Sequence, residues 1–416
     1  MSVRFLSRQA SWLASFELFQ YIGPGFFVTV GFIDPGNWVT NVAAGSQFGY
    51  QLLWVVTLAT AILIVVQHNA AHLGIVTGRC LAEAASSYFR PWLRILMLGS
   101  ALLACIATAL AELLGAAIGL QMLCGVPLLL GAVLAAGFSV WMLFARGYQS
   151  LEKWIIGFVS LIGLAFVFEL SLAKVQWGRA AVALVAPSVP PGAMTVIMGV
   201  LGAVVMPHNI FLHSEVIQSR QWNAQGVEVI EKQLAYEFLD TLTGMGIGWA
   251  INSAMIIMAA AVFYAHRITV TELSQVTVTI EPVFGAASGV VFALGLVFAG
   301  LSSSVTAAMA GGSVFAGIYG EPLDMADNHT RTGIALTLAG ALAVILLLND
   351  PFAGIIWSQV ALSVQLPLTI IPLIVLTSSR SVMGRHANRP LTQAVLWLVG
   401  LLVIGLNLLL LREMLG

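Results

Sequence analysis

Two tetrapeptides, Asp34-Pro35-Gly36-Asn37 and Met206-Pro207-His208-Asn209, place ligand chemistry inside stretches otherwise apolar enough to cross a bilayer. Both have the form x-Pro-x-Asn. A proline inside a helix removes one N–H donor and clashes with the carbonyl four residues back. Here that frees the carbonyls of Gly31 and Ala203. In hydrocarbon such a carbonyl is tolerated only where it is buried in protein or lines a polar cavity. Beside it stand a carboxylate (Asp34), a carboxamide (Asn37), a thioether (Met206) and an imidazole (His208). That set reads as a metal site. Asp34 also suits the N-cap of the helix resuming after Pro35, and Asn37 can cap or turn its carbonyl oxygen to a cation. A methionine in an apolar helix is ordinarily core filler, but next to a freed carbonyl and a proline Met206 becomes a ligand candidate. Oxygen donors alone suit Mg²⁺ or Ca²⁺. A thioether moves the preference toward Mn²⁺ and Fe²⁺ and against Ca²⁺.

Other polar residues in apolar runs extend this chemistry. His208 titrates in a range that makes it a better proton acceptor than ligand. His213 lies a little over one helical turn further on, where it continues a polar path or faces the cytoplasm. Glu112 stands alone in the run Leu103–Glu112; it is either a carboxyl packed between helices or a proton relay. Gln359 offers a further oxygen ligand. Asn252 does the same or bridges helices. His68 and His72, at i, i+4, have a spacing that can bind metal, but their place near a helix end favours a solvated or cavity-lining role.

The elements that must position these groups follow from composition. Of 416 residues, 59% are hydrophobic and 8% charged, and the mean hydropathy is +0.97. Soluble domains carry about 25% charged residues, so the chain reads as an all-α polytopic membrane protein. A net charge of −1 gives no reason to expect nucleic acid. Cys80, Cys105 and Cys124 make no disulfide framework. The N-terminus shows no separate cleavable signal segment. At about 20 apolar residues per crossing, eleven spans are expected, roughly at 20–47, 50–73, 92–119, 127–145, 154–173, 194–218, 234–263, 284–316, 332–349, 352–376 and 391–411. Lys and Arg concentrate on one side: with the N-terminus cytoplasmic, only Lys174, Arg179, Arg267 and Arg412 fall outside. This orientation leaves the C-terminus outside.

The first and sixth spans carry the matching breaks, five spans apart. An odd repeat must invert in the membrane, so the pattern is an inverted 5+5 repeat over roughly 20–173 and 194–376, with an extra helix over 391–411, in one domain spanning the chain. Small-residue runs such as Ala299–Ser304 suit close helix contacts in a bilayer.

The two motifs, with Ala43-Ala44-Gly45-Ser46-Gln47-Phe48-Gly49-Tyr50, Phe211-Leu212-His213-Ser214 and Leu73-Gly74-Ile75-Val76-Thr77-Gly78, resemble the Nramp (natural resistance-associated macrophage protein) divalent metal transporters over essentially the whole chain. The resemblance implies a leucine-transporter-like fold, Mn²⁺ and Fe²⁺ as substrates, and H⁺ co-transport. By the same resemblance the metal ligands are Asp34, Asn37, the Ala203 carbonyl, Met206 and Gln359, and the proton path uses His208, Glu112 and Arg220; Asp34 and His213 are added to that path from their own chemistry and position. Two departures stand out. The family commonly has an acid three residues before the Glu112 position, where this chain has Ala109 after Thr108. It also tends to carry an arginine pair where this chain reads Ala326-Asp327-Asn328-His329-Thr330-Arg331. The expectation is intact metal binding with weakened or rerouted proton coupling.

The expected function is a secondary active transporter importing Mn²⁺, and also Fe²⁺, by alternating access in the inner membrane of a bacterium. No resident cofactor and no obligate protein partner are indicated. Rivals are an uncoupled metal facilitator, a passive channel, and a sodium-coupled amino-acid symporter on the same scaffold; an aspartate and a methionine at the breaks oppose the symporter, which would have to hold a substrate carboxylate. An enzyme is disfavoured, since no nucleophile–base pair or phosphate loop stands at the breaks.

Overall fold

The computed structural model describes residues 34–145, 170, 173–276 and 287–415. Among these the regular elements are all helical: α1 Pro35–Phe48, α2 Leu53–Thr77, α3 Leu81–Tyr88, α4 Pro91–Cys124, α5 Leu128–Ala145, α6 Trp177–Ala183, α7 Met194–Val204, α8 Pro207–Gln218, α9 Val227–Val262, α10 Ala287–Ile318, α11 Asn328–Leu347, α12 Pro351–Ser378 and α13 Pro390–Leu415. Proline opens five of them, at positions 35, 91, 207, 351 and 390. There its fixed φ suits the helix and its missing N–H would have had no partner anyway. Asp34, Asp327 and Asp350 cap α1, α11 and α12 by accepting a backbone N–H three residues on. Gly78 and Gly125 end α2 and α4 in the left-handed region, at φ 66° and 67°, which glycine enters without steric cost.

Nine helical segments among the described residues are long and apolar enough to cross a bilayer, at nine of the eleven expected places. The other two expectations fall largely outside the described residues. The first span is described only from Asp34, which leaves out Gly31, Arg4 and Arg8; span 154–173 is almost wholly undescribed, as are Arg146 and Lys153. The broken segment Met194–Gln225 has 94% of its apolar window buried, against 28% for Pro390–Leu415. The broken segment is therefore the centre of the bundle and α13 its periphery. Exposed Leu129, Leu130, Trp141, Leu346, Leu398 and Leu401 on α5, α11 and α13 make an apolar outer face of a kind that soluble monomers rarely expose and that hydrocarbon suits.

Boundaries moved where the polar sequence hid a helix. α9 begins at Val227 rather than 234, because Ile230 and Gln233 are buried while Glu231 and Lys232 remain exposed. α3 was not expected; Cys80 caps it, accepting from Glu83 N–H while the Glu83 carboxylate accepts from Cys80 N–H at 3.1 Å. All three cysteines are free.

Close helix approach fixes the site. A Cβ on Gly202 would lie 1.9 Å from the Gln359 carbonyl oxygen, and one on Gly115 would lie 2.1 Å from Pro35 Cβ. Only glycine lets α7 touch α12 there, and lets α4 receive the start of α1. In the Ala299–Ser304 run, a Cβ on Gly300 would meet Glu112 O at 2.6 Å, so α10 seats against α4 beside Glu112.

Candidate functional site

The two x-Pro-x-Asn motifs fold alike. In each, the residue before proline is an extended N-cap: Asp34 at φ −94°, ψ 162°, and Met206 at φ −66°, ψ 118°. In each, the asparagine reaches back three residues to that cap. Asn37 Nδ2 donates to Asp34 Oδ1 at 3.0 Å, and Asn209 Nδ2 donates to Met206 Sδ at 3.4 Å. Asp34 Oδ1 also accepts from Asn37 N–H at 2.6 Å. Both Asn37 bonds go to the one oxygen, Oδ1.

The break in the second motif lies between Val204 and Pro207, with Val205 at φ −98°, ψ 63°. Proline at 207 leaves Ala203 O without its helical N–H donor, and Asn37 Nδ2 donates to it at 2.9 Å across 166 residues of sequence. One side-chain amide thus ties the start of α1 to the break between α7 and α8. Ala203 O also sits in the last turn of α7, the negative end of that half-helix dipole.

Gln359 brings the third element. It is 1% exposed, its Nε2 donates to Ser358 Oγ at 3.1 Å, and its Oε1 has no protein donor. Its amide lies against Gly36, where a Cβ would stand 2.5 Å from Nε2. Asp34, Asn37, Ala203, Met206 and Gln359 are each 1% exposed or less. Asn37 thus joins the Asp34 carboxylate to the Ala203 carbonyl, with the Gln359 amide against Gly36, while the equally buried Met206 bonds Asn209.

α4 supplies the neighbouring acid. The Asp34 and Glu112 carboxyl groups interact with one another, and neither Glu112 oxygen has a hydrogen-bond donor. No Lys or Arg forms an ion pair with either acid among the described residues. Burying a carboxylate without a partner costs several kcal/mol, of order the effective desolvation of one ion, so this pair calls for a proton or a cation. His208 Nδ1 bonds Thr108 Oγ1 at 3.0 Å, one helical turn before Glu112 on α4. The buried Ala109 next to it offers no acid.

Other candidates lie apart. His213 Nδ1 pairs with Gln67 Oε1 at 2.9 Å, and its Nε2 stands 3.9 Å from Glu237 Oε1. His68 Nδ1 is bonded to the other Glu237 oxygen, Oε2, and His72 stacks on His68. Together they make a second polar cluster between α2, α8 and α9. Asn252 accepts from Asn41 Nδ2 and so bridges α9 to α1. Arg220 is exposed beyond the end of α8 and is not gathered with the other proton-path candidates. In the 326–331 loop, Asp327 caps α11 and the Thr330 backbone N–H holds its carboxyl below the usual carboxylate range. His329 pairs with Glu321 at 2.6 Å. Arg331 is exposed, with its guanidinium over Phe144. No arginine of that loop reaches Glu112.

Sequence reading missed Thr108, Gln67 and Glu237. Glu237 lay in plain view, since an acid inside an expected span is a functional signal by default. Thr108 was recoverable as the i−4 neighbour of Glu112. Gln67 gave no local signal.

Residues 25–413 match the family described as natural resistance-associated macrophage protein-like. A divalent metal cation transporter MntH of Caldanaerobacter subterraneus subsp. tengcongensis is 38% identical over 399 residues, covering 95% of this chain and 93% of that protein. The crystal structure of the Eremococcus coleocola manganese transporter superposes with a TM-score of 0.81 at 26% identity, over 94% of this chain and 86% of that one. Mhp1, a nucleobase-cation-symport-1 family transporter, superposes with a TM-score of 0.63 at 15% identity, over 94% and 92%. The last likeness concerns the fold alone: a scaffold of the leucine-transporter type, as the five-plus-five reading expected.

Proposed function

The chain belongs to the Nramp family of divalent metal ion transporters, and from that premise we propose that it carries Mn²⁺, with Fe²⁺ as a second cargo, into the cytoplasm by alternating access. The observation that carries the reading is the Asn37 amide, which holds Asp34 Oδ1 and Ala203 O together across the two breaks. Rotating that one amide presents its oxygen to a cation held between Asp34 and the Ala203 carbonyl, with Met206 as the further ligand. A metal ion arriving there replaces the two hydrogen bonds with bonds to itself. The thioether tilts the site away from Ca²⁺. The membrane is the inner membrane of a bacterium, with the N-terminus cytoplasmic and the C-terminus outside, as the basic-residue count expects.

Proton coupling in this chain is weakened or rerouted. Three observations support that reading. Ala109 places no acid beside Glu112, the 326–331 loop sends no arginine to it, and His208 rests on the neutral Thr108 hydroxyl. An acid and its cationic partners are missing together, which leaves the core without an unpaired basic charge.

Mn²⁺ uptake into proteoliposomes, with lumenal pH recorded in the same sample, tests both parts. The expected result is saturable uptake that is inhibited by Fe²⁺, indifferent to excess amino acids, and accompanied by less than one proton per metal. Ala109→Asp should raise the proton-to-metal ratio. One tight proton per metal, abolished by Glu112→Gln, would end the weakened-coupling reading. Absence of saturable uptake would end the metal assignment.

A further inference from the structure

At the end of the bundle where α1 and α9 finish and α2 begins, a cavity of about 720 Å³ opens. Lys174, Arg179 and Arg267 line it, and among the described residues no aspartate or glutamate does. None of the three makes an ion pair among the described residues. Arg179 donates to Gln176 Oε1 at 3.1 Å, and the Gln176 N–H donates to the Tyr50 hydroxyl at 3.3 Å. A neutral chain of amide and hydroxyl groups thus orients the guanidinium, and no acid among the described residues pairs with its charge. Arg267 occupies the left-handed region at φ 59°, which a residue with a long side chain seldom enters. The turn keeps an arginine where glycine or asparagine would fit with less strain.

Three like charges around one concavity repel one another. An anion seated among them converts that repulsion into attraction. The sign is wrong for a divalent cation, so the cavity is not a station on the metal's route. Guanidinium and ammonium groups together suit phosphate oxygens, the arginine by its fork and the lysine as a point charge. The volume exceeds that of inorganic phosphate and falls in the range of small-molecule sites. Tyr50 and Tyr264 border it, and tyrosine at a helix end is characteristic of headgroup depth in a membrane protein.

We propose that this cavity binds a phosphate ester, supplied either by the headgroup of an anionic phospholipid or by a soluble phosphate. The site is separate from the metal centre, and its test needs no transport. The full chain, stripped of lipid in neutral detergent, is titrated with phosphatidylglycerol, phosphatidylcholine and glycerol phosphate, with binding read by native mass spectrometry and by the shift in unfolding temperature. The wild type should retain phosphatidylglycerol over phosphatidylcholine if the source is lipid, or be stabilised by glycerol phosphate if the source is soluble. Combined Lys174→Gln, Arg179→Gln and Arg267→Gln should weaken that binding by roughly fivefold per cation removed. A control with Arg79→Gln, Arg90→Gln and Arg412→Gln, three exposed charges away from the cavity, should bind as the wild type does. Equal binding by the cavity variant and the wild type, or equal loss in the control, overturns the proposal. Arg179→Gln alone gives the same reading should the triple change disturb folding.

Discussion

Asn37 does with one amide what usually takes several side chains. Its Nδ2 satisfies Asp34 Oδ1 and also the carbonyl that Pro207 leaves without a helical donor. Asn37→Ala removes both bonds and strands a buried carbonyl, a cost of about 1–3 kcal/mol. We expect a fall in unfolding temperature in metal-free detergent solution together with at least a tenfold loss of Mn²⁺ uptake (about 1.4 kcal/mol). A variant unchanged in both would show that the bridge has no part in holding the breaks together. Met206 makes a different prediction, because its sulfur accepts only the local Asn209 bond. Met206→Ala should keep Mn²⁺ uptake within about tenfold, since the oxygen donors remain, while Ca²⁺ becomes a competitor because those donors are hard. Ca²⁺ inhibition of Mn²⁺ uptake measures it, and continued full exclusion of Ca²⁺ would sink the thioether argument.

At the scale of elements, the site depends on how closely helices approach. Gly202→Ala puts a methyl group 1.9 Å from the Gln359 carbonyl oxygen, and backbone cannot yield as a flexible side chain can. α7 must then leave α12, which pulls Ala203 from Asn37 and Gln359 from Gly36. The expected cost is about 1–3 kcal/mol of overpacking or more, with loss of Mn²⁺ uptake. Gly246→Ala, in α9 with nothing within 4 Å of the new Cβ, should gain up to about 1 kcal/mol from helix propensity. Unfolding temperature and uptake of the two variants separate close approach from a general sensitivity to glycine loss. The same elements show what a sequence can reveal. Pro207 announced the break between α7 and α8 because the missing N–H is a covalent fact, readable without a partner; for Pro35 the described residues show the helix start alone. The donor that Ala203 finds lies 166 residues away, and no local pattern contains it. The eight residues of α3 are too few for helical periodicity, and its cap is a cysteine rather than the usual serine, threonine or aspartate. Thr108 was legible as the i−4 neighbour of Glu112, but its bond to His208, 100 residues away, was not.

The whole molecule has two ends, and which of them faces the cytoplasm can be measured directly. The expected orientation rests on the positions of Lys and Arg, with the N-terminus inside. Under it, α1 ends outside, α2 returns, and α4 crosses outward to finish at Cys124. α4 has 34 residues, about 51 Å at 1.5 Å per residue, well beyond a hydrocarbon core of about 30 Å. A helix of that length reaches past the hydrocarbon at one end or both unless it tilts strongly, and Cys124 is its last residue. Cys124 is exposed while Cys80 and Cys105 are buried, so the chain carries a native reporter of sidedness that needs no engineered residue. A membrane-impermeant maleimide applied to intact cells should label the wild type and leave Cys124→Ser unlabelled. Labelling that appears only after permeabilisation would place this end inside and reverse the orientation drawn from the basic residues. The Lys174–Arg179–Arg267 cavity belongs to the same end, since it adjoins the finish of α1 and the start of α2. A labelled Cys124 would thus also place the phosphate-ester site at the outer leaflet, and labelling only after permeabilisation would move it to the inner one.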